Sequence, residues 1–376
     1  MHTLVPFNLT QGAKVSQALG ERTVERARAL CIHALLFSFL LTSFVSLPIW
    51  LYCEPLLYFL GAKDTTLILA KQYTLILLPS TPILSLSMCL AAALRAAGHA
   101  KRSMYAITSG GIVNAILDPI FIFGLDLGIQ SGAWASVLAR ITIFVMACPF
   151  LIRNHTLLKK PSLGGWLNDL PRIFNIAGPA MLTNLATPIG GSYATKSMAV
   201  FGDDAVAGAA IIGRLVSVGF CGLFALSSAI GPIFGQNIGA KLYQRVRQVL
   251  FDAIKFIGVY VLLIWIIFFS LQDLLVHAFD ADQKAAYLIK SYCTWIMPGF
   301  FFNGLLFSAN AAFNNMNAAY LATLFNFLKN IFRHSSLCIY FCALFWPCGR
   351  VSWRSSRCHR LWEFGDDDRL LERFKT

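Results

Sequence analysis

Nine stretches of this chain are too long and too apolar for the interior of a water-soluble domain. They fall near residues 30–52, 66–93, 104–124, 130–152, 171–200, 206–236, 249–272, 286–313 and 320–346. A helix needs about 20 predominantly apolar residues to cross the hydrocarbon of a bilayer, so each stretch reads as a membrane-spanning helix. Residues 1–19 are too polar to span alone. Composition points the same way. Of the 376 residues, 57% are hydrophobic and only 13% are charged, whereas a soluble domain carries about 25%. The fold class expected is an all-α polytopic membrane protein.

The loops between the runs alternate in charge. One set holds Arg22, Arg26 and Arg28; Arg95, Lys101 and Arg102; Arg153, Lys159, Lys160 and Arg172; and Lys241, Arg245 and Arg247. The other holds Glu54, Lys63 and Asp64; Asp126; Asp203 and Asp204; and Asp273, Asp280, Asp282 and Lys284. The positive-inside rule makes the first set cytoplasmic. The net charge of +13 therefore belongs to cytoplasmic loops, and no basic face for nucleic acid is expected. The N-terminus shows no charged region ahead of a short apolar core, so no signal peptide is expected.

An internal repeat sets the architecture. "GAKVSQALGERTVERAR" at 12–28 resembles "GPIFGQNIGAKLYQRVR" at 231–247, and a constant offset of 219 residues pairs Gly12 with Gly231, Gln17 with Gln236, Gly20 with Gly239, Arg26 with Arg245 and Arg28 with Arg247. The same offset pairs Lys71 with Lys290, Tyr73 with Tyr292 and Pro79 with Pro298, in "AKQYTLILLP" and "IKSYCTWIMP". One register held over some ninety residues marks a duplication. Paired elements share loop charge and hence sidedness, so the repeat is parallel: two helix bundles related by an axis along the membrane normal, an arrangement transporters use with the substrate between the halves.

Under this offset the helix that begins near Leu170 or Pro171 has its counterpart before Met1. The expected organisation is an N-terminal transmembrane lobe at 1–152 lacking its first helix, a cytoplasmic linker at 153–172, a C-terminal lobe at 173–330, and an aberrant tail at 331–376. The stretch "RVSWRSSRCHRLWEFGDDDRLLE" at 349–371 stands where an apolar helix would be repeated. The tail reads as the product of a frameshift; the alternative is a natural basic tail.

Within the third run, "NAILDPIF" at 114–121 places Asn114, Asp118 and Pro119 in an apolar helix. Asn114 and Asp118 are four residues apart and share one helix face. An ionised carboxylate roughly halfway along such a segment is expensive, so it faces a polar cavity or stays protonated, and an intramembrane acid is a functional hypothesis by default. Burial moves a carboxylate towards proton exchange at working pH. Asn114 can donate to the ionised form or accept from the neutral one, and Pro119 marks a kink. The structural alternative is that Asp118 stabilises a helix break while Asn114 bonds a neighbouring helix.

Other polar groups give weaker signals. Lys196 is a lone cation in the 171–200 run, and snorkelling to an interface competes with a place on a substrate pathway. Asn303, Asn310, Asn314 and Asn315 cluster on one run, as interhelical bonding groups or as a pathway lining, with Asn303 and Asn310 the candidates for the latter. Gln17 and Gln236 sit at helix ends marked by glycines and basic residues, which favours a structural role. The ten cysteines form no paired CxxC motifs. Six are scattered through apolar runs as small hydrophobes, and no metal site is expected. No Ser/His/Asp set and no Walker loop is present, so neither an enzyme nor an ATP-driven pump is expected.

The motifs "VSQALGERTVERARAL" (15–30), "LRAAGHAKRSMYA" (94–106), "NAILDPIFIFGLDLGIQSGAWASVLAR" (114–140), "FGDDAVAGAAIIGR" (201–214) and "PIFGQNIGA" (232–240) together resemble the multidrug and toxic compound extrusion (MATE) family over residues 10–330. "LDPIF" followed by "GAWAS" is most similar to its bacterial DNA-damage-inducible-type branch. The resemblance implies twelve helices in two bundles, about nine to ten of them present here, forming a V with alternating access. It implies export of amphipathic, often cationic compounds in exchange for H⁺ or Na⁺, by a monomer in the bacterial inner membrane, with membrane lipid around it and no cofactor. It further implies that Asn114, Asp118 and a hydroxyl at Ser136 form the coupling site. The Asp that this branch carries on its first helix has no counterpart. The competing readings are a lipid-linked-oligosaccharide flippase, disfavoured because only Lys196 and Arg214 supply cavity cations, and an inactive truncated transporter.

Overall fold

The computed structural model describes residues 5–59, 63–125, 128–155, 165–171, 174, 177, 178, 181, 191, 203–279, 282–316 and 318–328. Among these residues every regular element is helical. The first half comprises α1 (Val5–Gly20), α2 (Val24–Leu51), α3 (Cys53–Phe59), α4 (Asp64–Leu77), a 3-10 turn (Leu78–Ser80), α5 (Thr81–Ala96), α6 (Ala100–Pro119) with a π-helical end (Ile120–Gly124), and α7 (Gln130–His155). A short stretch at 165–171, α8, follows. The second half comprises α9 (Asp203–Gly219), α10 (Cys221–Gly239), α11 (Tyr243–Ser270), α12 (Gln272–Ala278) and α13 (Gln283–Ser291). A π-helical turn (Tyr292–Ile296) and a 3-10 turn (Met297–Gly299) then lead into α14 (Phe300–Asn315), followed by α15 (Ala319–Leu328).

Six of these helices or helix runs are long and apolar enough to cross a membrane, and a seventh if α9 and α10, bent by 45°, count as one span. The protein is a multi-pass membrane protein. α1 is not among the six. Most of the expected run at 171–200, the expected tail at 331–376 and most of the 153–172 linker lie outside the described residues.

The offset of 219 governs the structure as it governs the sequence. It carries Val24–Leu51 onto Tyr243–Ser270, Cys53–Phe59 onto Gln272–Ala278, Leu78–Ser80 onto Met297–Gly299 and Thr81–Ala96 onto Phe300–Asn315. The turns repeat too. Arg22 and Lys241 both take the left-handed backbone, with φ of 60° and 59°. In each turn the next residue closes the same wide loop, Thr23 N–H to Ala18 O at 3.0 Å and Leu242 N–H to Asn237 O at 2.9 Å, the ending that satisfies orphan carbonyls at a helix C-terminus.

Two expected runs, 66–93 and 286–313, stand as single candidate spans, 64–96 and 285–315, whose α-helical winding is interrupted at Pro79 and Pro298. Proline has no N–H to give the carbonyl four residues back, which frees Leu75 O and Thr294 O. Each is taken by a tryptophan: Trp50 Nε1 donates to Leu75 O at 3.2 Å, and Trp265 Nε1 to Thr294 O at 3.3 Å. Rescue of this kind is what makes a broken helix tolerable in lipid. The expected single run at 206–236 is two helices, with the bend at Phe220.

The two halves pack with different side chains. In the first, Val15, Ala27, Cys31, Cys89, Ala93, Ala106 and Ala147 bring α1, α2, α5, α6 and α7 together; small residues allow close helix approach where lipid offers no hydrophobic drive. In the second, Phe220, Leu223, Ile257, Tyr292, Met297 and Phe300 fill the centre, with Phe220 and Phe300 stacked at 4.0 Å. α8 is tied to α2: Asp169 Oδ2 lies 2.9 Å from the buried His33 Nδ1, and Trp166 Nε1 donates to His33 O at 3.3 Å.

Candidate functional site

α7 packs against α6, α5 and α4, and α5 also packs against α6. Where these helices meet, a polar strip crosses the apolar bundle. Asp118 and Asn114 are half-buried on α6. Oδ1 of Asp118 is buried and has no hydrogen-bond partner among the described residues. The position a Cβ would take on Gly132 of α7 lies 3.5 Å from this oxygen and 3.8 Å from the Tyr73 ring. Both are ordinary van der Waals separations, so Asp118 and Tyr73 lie beside the same turn of α7, with room for a methyl group at Gly132. Ser136 lies four residues on, along the same face of α7.

Two expectations change. Asn114 makes no hydrogen bond to Asp118 among the described residues; the Oδ1 atom that would accept it is unpartnered. Asp118 is also not central: α6 begins at Ala100 and its π-helical end closes at Gly124, so the acid sits towards the end away from the basic loops. Pro119 ends the α-helical part and opens the π turn.

Arg140 is the member of this strip that sequence reasoning passed over. It lies one further turn along α7 and is only 5% exposed. Its Nη1 donates to Ser80 Oγ at 2.6 Å and to Leu77 O at 3.1 Å, at the proline break of the 64–96 run. Ser80 Oγ also donates to Leu77 O, at 2.8 Å, and Ser87 Oγ donates to Arg140 O at 3.2 Å. Among the described residues no carboxylate pairs with the guanidinium. The sequence signal existed: a cation in mid-run of an apolar helix merits the same question as Asp118.

In the second half, α14 carries buried amide oxygens without partners among the described residues, those of Asn310, Asn314 and Asn315. Asn303 is half-buried on the same helix. The Asn315 side chain donates back to Ala311 O at 2.8 Å. These asparagines and the Asp118 strip belong to different halves, and among the described residues no hydrogen bond joins them. Lys196 lies outside the described residues, and Arg214 is exposed on α9.

Comparison with known proteins places the chain. Residues 9–120 and 179–338 match the MatE family profile. The chain belongs to the MatE family. Among MatE relatives, it is 30% identical over 291 residues to an FAD transporter of Shewanella oneidensis, an alignment covering 75% of this chain and 64% of that one. It is 26% identical over 316 residues to the multidrug export protein MepA of Staphylococcus aureus, covering 80% and 68%. The chain thus spans about two thirds of the length of these curated relatives. Its fold is similar to that of the Vibrio cholerae MATE transporter VcmN in the bent form, with a TM-score of 0.83 at 24% identity over 92% of this chain and 78% of that one. A solved outward-facing MATE family transporter gives a TM-score of 0.81 at 19% identity, covering 88% and 74%. The membership expected from the sequence motifs is borne out, and the helical, multi-pass fold with it.

Proposed function

We propose that this MatE protein is a secondary antiporter that exports amphipathic, often cationic compounds across a bacterial inner membrane in exchange for H⁺, with Na⁺ as the alternative coupling ion. The two lobes, 1–152 and 173–330, would rock against one another within a monomer. The single observation carrying this reading is the Asp118 carboxyl, half-buried in an apolar bundle with Oδ1 lacking a partner. An unpaired acceptor in such a place is costly, and binding a proton or a cation removes that cost. Coupling requires an ion whose binding favours one of two helix arrangements, and Asp118 stands at the α-to-π junction of its helix. Asn114 and Ser136 flank it, and Asn303, Asn310 and Lys196 are the candidate substrate pathway in the second lobe.

A second substrate class has its own support. The named relative at 30% identity is an FAD transporter, which supports an anionic flavin dinucleotide as the cargo.

The test is efflux from a pump-deficient bacterium expressing the full chain, read with ethidium and with FAD in parallel. Energy-dependent loss of ethidium that disappears in Asp118→Asn is the expected result. FAD efflux without ethidium efflux moves the conclusion to the second class. Efflux unchanged in Asp118→Asn, at equal protein levels in the membrane, removes Asp118 from coupling.

A further inference from the structure

α1 and α10 lie along each other where the two halves meet, and their contact is self-complementary. Gly20 of α1 is backed by the main-chain carbonyl of Gln236, with no room for a Cβ, and Gly239 of α10 is backed in the same way by the carbonyl of Gln17. Both residues of each contact map onto the other contact at the offset of 219. The seam therefore behaves like a two-fold interface, in which residue i meets j and the mate of j meets the mate of i. The axis passes close to Ser16 and Gly235, another pair at this offset: the Ser16 hydroxyl occupies the space a Cβ on Gly235 would need.

The side chains obey the same symmetry. Gln17 Nε2 donates to the backbone carbonyl of Asn315, the last residue of α14. Gln236 Nε2 donates to that of Ala96, the last residue of α5, at 2.8 Å. Ala96 and Asn315 are themselves 219 apart. Carbonyls in a final helical turn have no intrahelical donor. Each glutamine thus reaches across the seam and caps a helix of the opposite half. The ends of α1, α5 and α10 carry basic loops, with Arg22, Arg95, Lys101, Arg102, Lys241 and Arg245, which the positive-inside rule makes cytoplasmic.

We propose that Gln17 and Gln236 are the latch of the cytoplasmic gate: positioning residues that bond across the seam only when the cytoplasmic side is closed, and so set the closed-to-open balance. The proposal rests on the alternating-access reading. Opening towards the cytoplasm moves α1 from α10, and both bonds must break together because the same two bodies carry them. Both donors are neutral amides and both acceptors are main-chain carbonyls. The latch therefore holds equally across neutral pH, and the ion that acts at Asp118 works on a different part of the molecule.

The test is a distance measurement on the full chain in lipid nanodiscs, with spin labels carried by non-canonical residues at the exposed positions of Arg26 and Arg245, one on each half. The unsubstituted protein should give mainly the short distance. Gln17→Ala and Gln236→Ala should each raise the ratio of long to short distances about fivefold, the factor an ordinary hydrogen bond carries. The two singles should match and the double should exceed both, equally at pH 6 and pH 8. Gln17→Glu keeps the shape but loses the donor and should also open. Gly20→Ala keeps both glutamines but sets a methyl against the Gln236 backbone, and it should lengthen the distance by a separate route. Unchanged distributions in all four glutamine variants, with Gly20→Ala opening normally, would overturn the latch. The readout needs neither substrate nor ion, so a failed efflux assay leaves this result standing on its own.

Discussion

Trp265 gives its indole N–H to the Thr294 carbonyl at 3.3 Å, and Thr294 is the residue that Pro298 leaves without a helical donor. In the first half Trp50 does the same for Leu75, which Pro79 leaves free. The two carbonyls are 219 residues apart, but the two tryptophans are not. The offset carries Trp50 onto Phe269, so the second half has kept the bond and changed its donor.

Trp265→Phe should therefore lower stability by about 1–3 kcal/mol, the cost of an unsatisfied polar group in an apolar setting. In a Pro298→Ala background the same change should cost less, because the alanine would bring its own N–H to Thr294 O. Thermal unfolding in detergent of the four proteins in this cycle measures the difference.

Arg140 holds Ser80 and Leu77 O at the other break. Arg140→Leu removes two bonds from a charged donor, worth roughly 1.5–3 kcal/mol each at most, and should lower the unfolding midpoint. Arg140→Lys keeps the charge but loses the planar fork, and it should recover only part of the loss. Equal midpoints for all three proteins would show that Ser80 alone satisfies Leu77.

Adjacent glycines on α6 should respond in opposite ways. A Cβ on Gly110 would overlap Ile143 and lie 2.9 Å from Ala139 O, whereas one on Gly111 meets nothing within 4 Å. Gly110→Ala should cost about 1–3 kcal/mol by overpacking α6 on α7. Gly111→Ala should be neutral or stabilise by about 0.5–1 kcal/mol through helix propensity. The same unfolding assay reads both.

Lys290 and Asp273 are paired at 2.5 Å, and Lys71 and Glu54 repeat the pair at 2.6 Å. The hydrogen bond and charge of Lys290 hold the Asp273 carboxyl below its usual 3.8. A depressed carboxylate adds stability above its unfolded pKa and loses it as pH falls through the folded one. The midpoint difference between the native chain and Asp273→Asn should therefore be present at pH 6 and shrink as pH drops below 3.8. The pair is exposed, so added salt should shrink the difference as well.

Much of this was legible in the residues. The offset read from Gln17, Lys71 and Pro79 sets nearly every helix boundary, because a duplicated sequence brings duplicated caps, prolines and turns. Asp118 stood out because an acid is rare among Ile, Leu and Phe. The breaks at Pro79 and Pro298 were harder to read, since a proline within an apolar run does not announce which N–H will replace its own. Arg140 was missed for a related reason. A cation in mid-run does not announce whether it reaches an interface or turns into the bundle, and only the packing of α7 on the 64–96 run shows it buried. Asn114 and Asp118 share a face, but spacing fixes the face and not the rotamers, and the bond between them does not form.

The Ser16 hydroxyl fills the place of a Cβ on Gly235. A duplicated chain inherits the same side chain at both sites, yet two such groups cannot share one volume on an axis of symmetry. The seam admits a single side chain there, so at least one half had to give up the serine hydroxyl at this point. A protein assembled from two copies of the first half would meet its first obstacle there, whereas two copies of the second would bring only glycines to the axis.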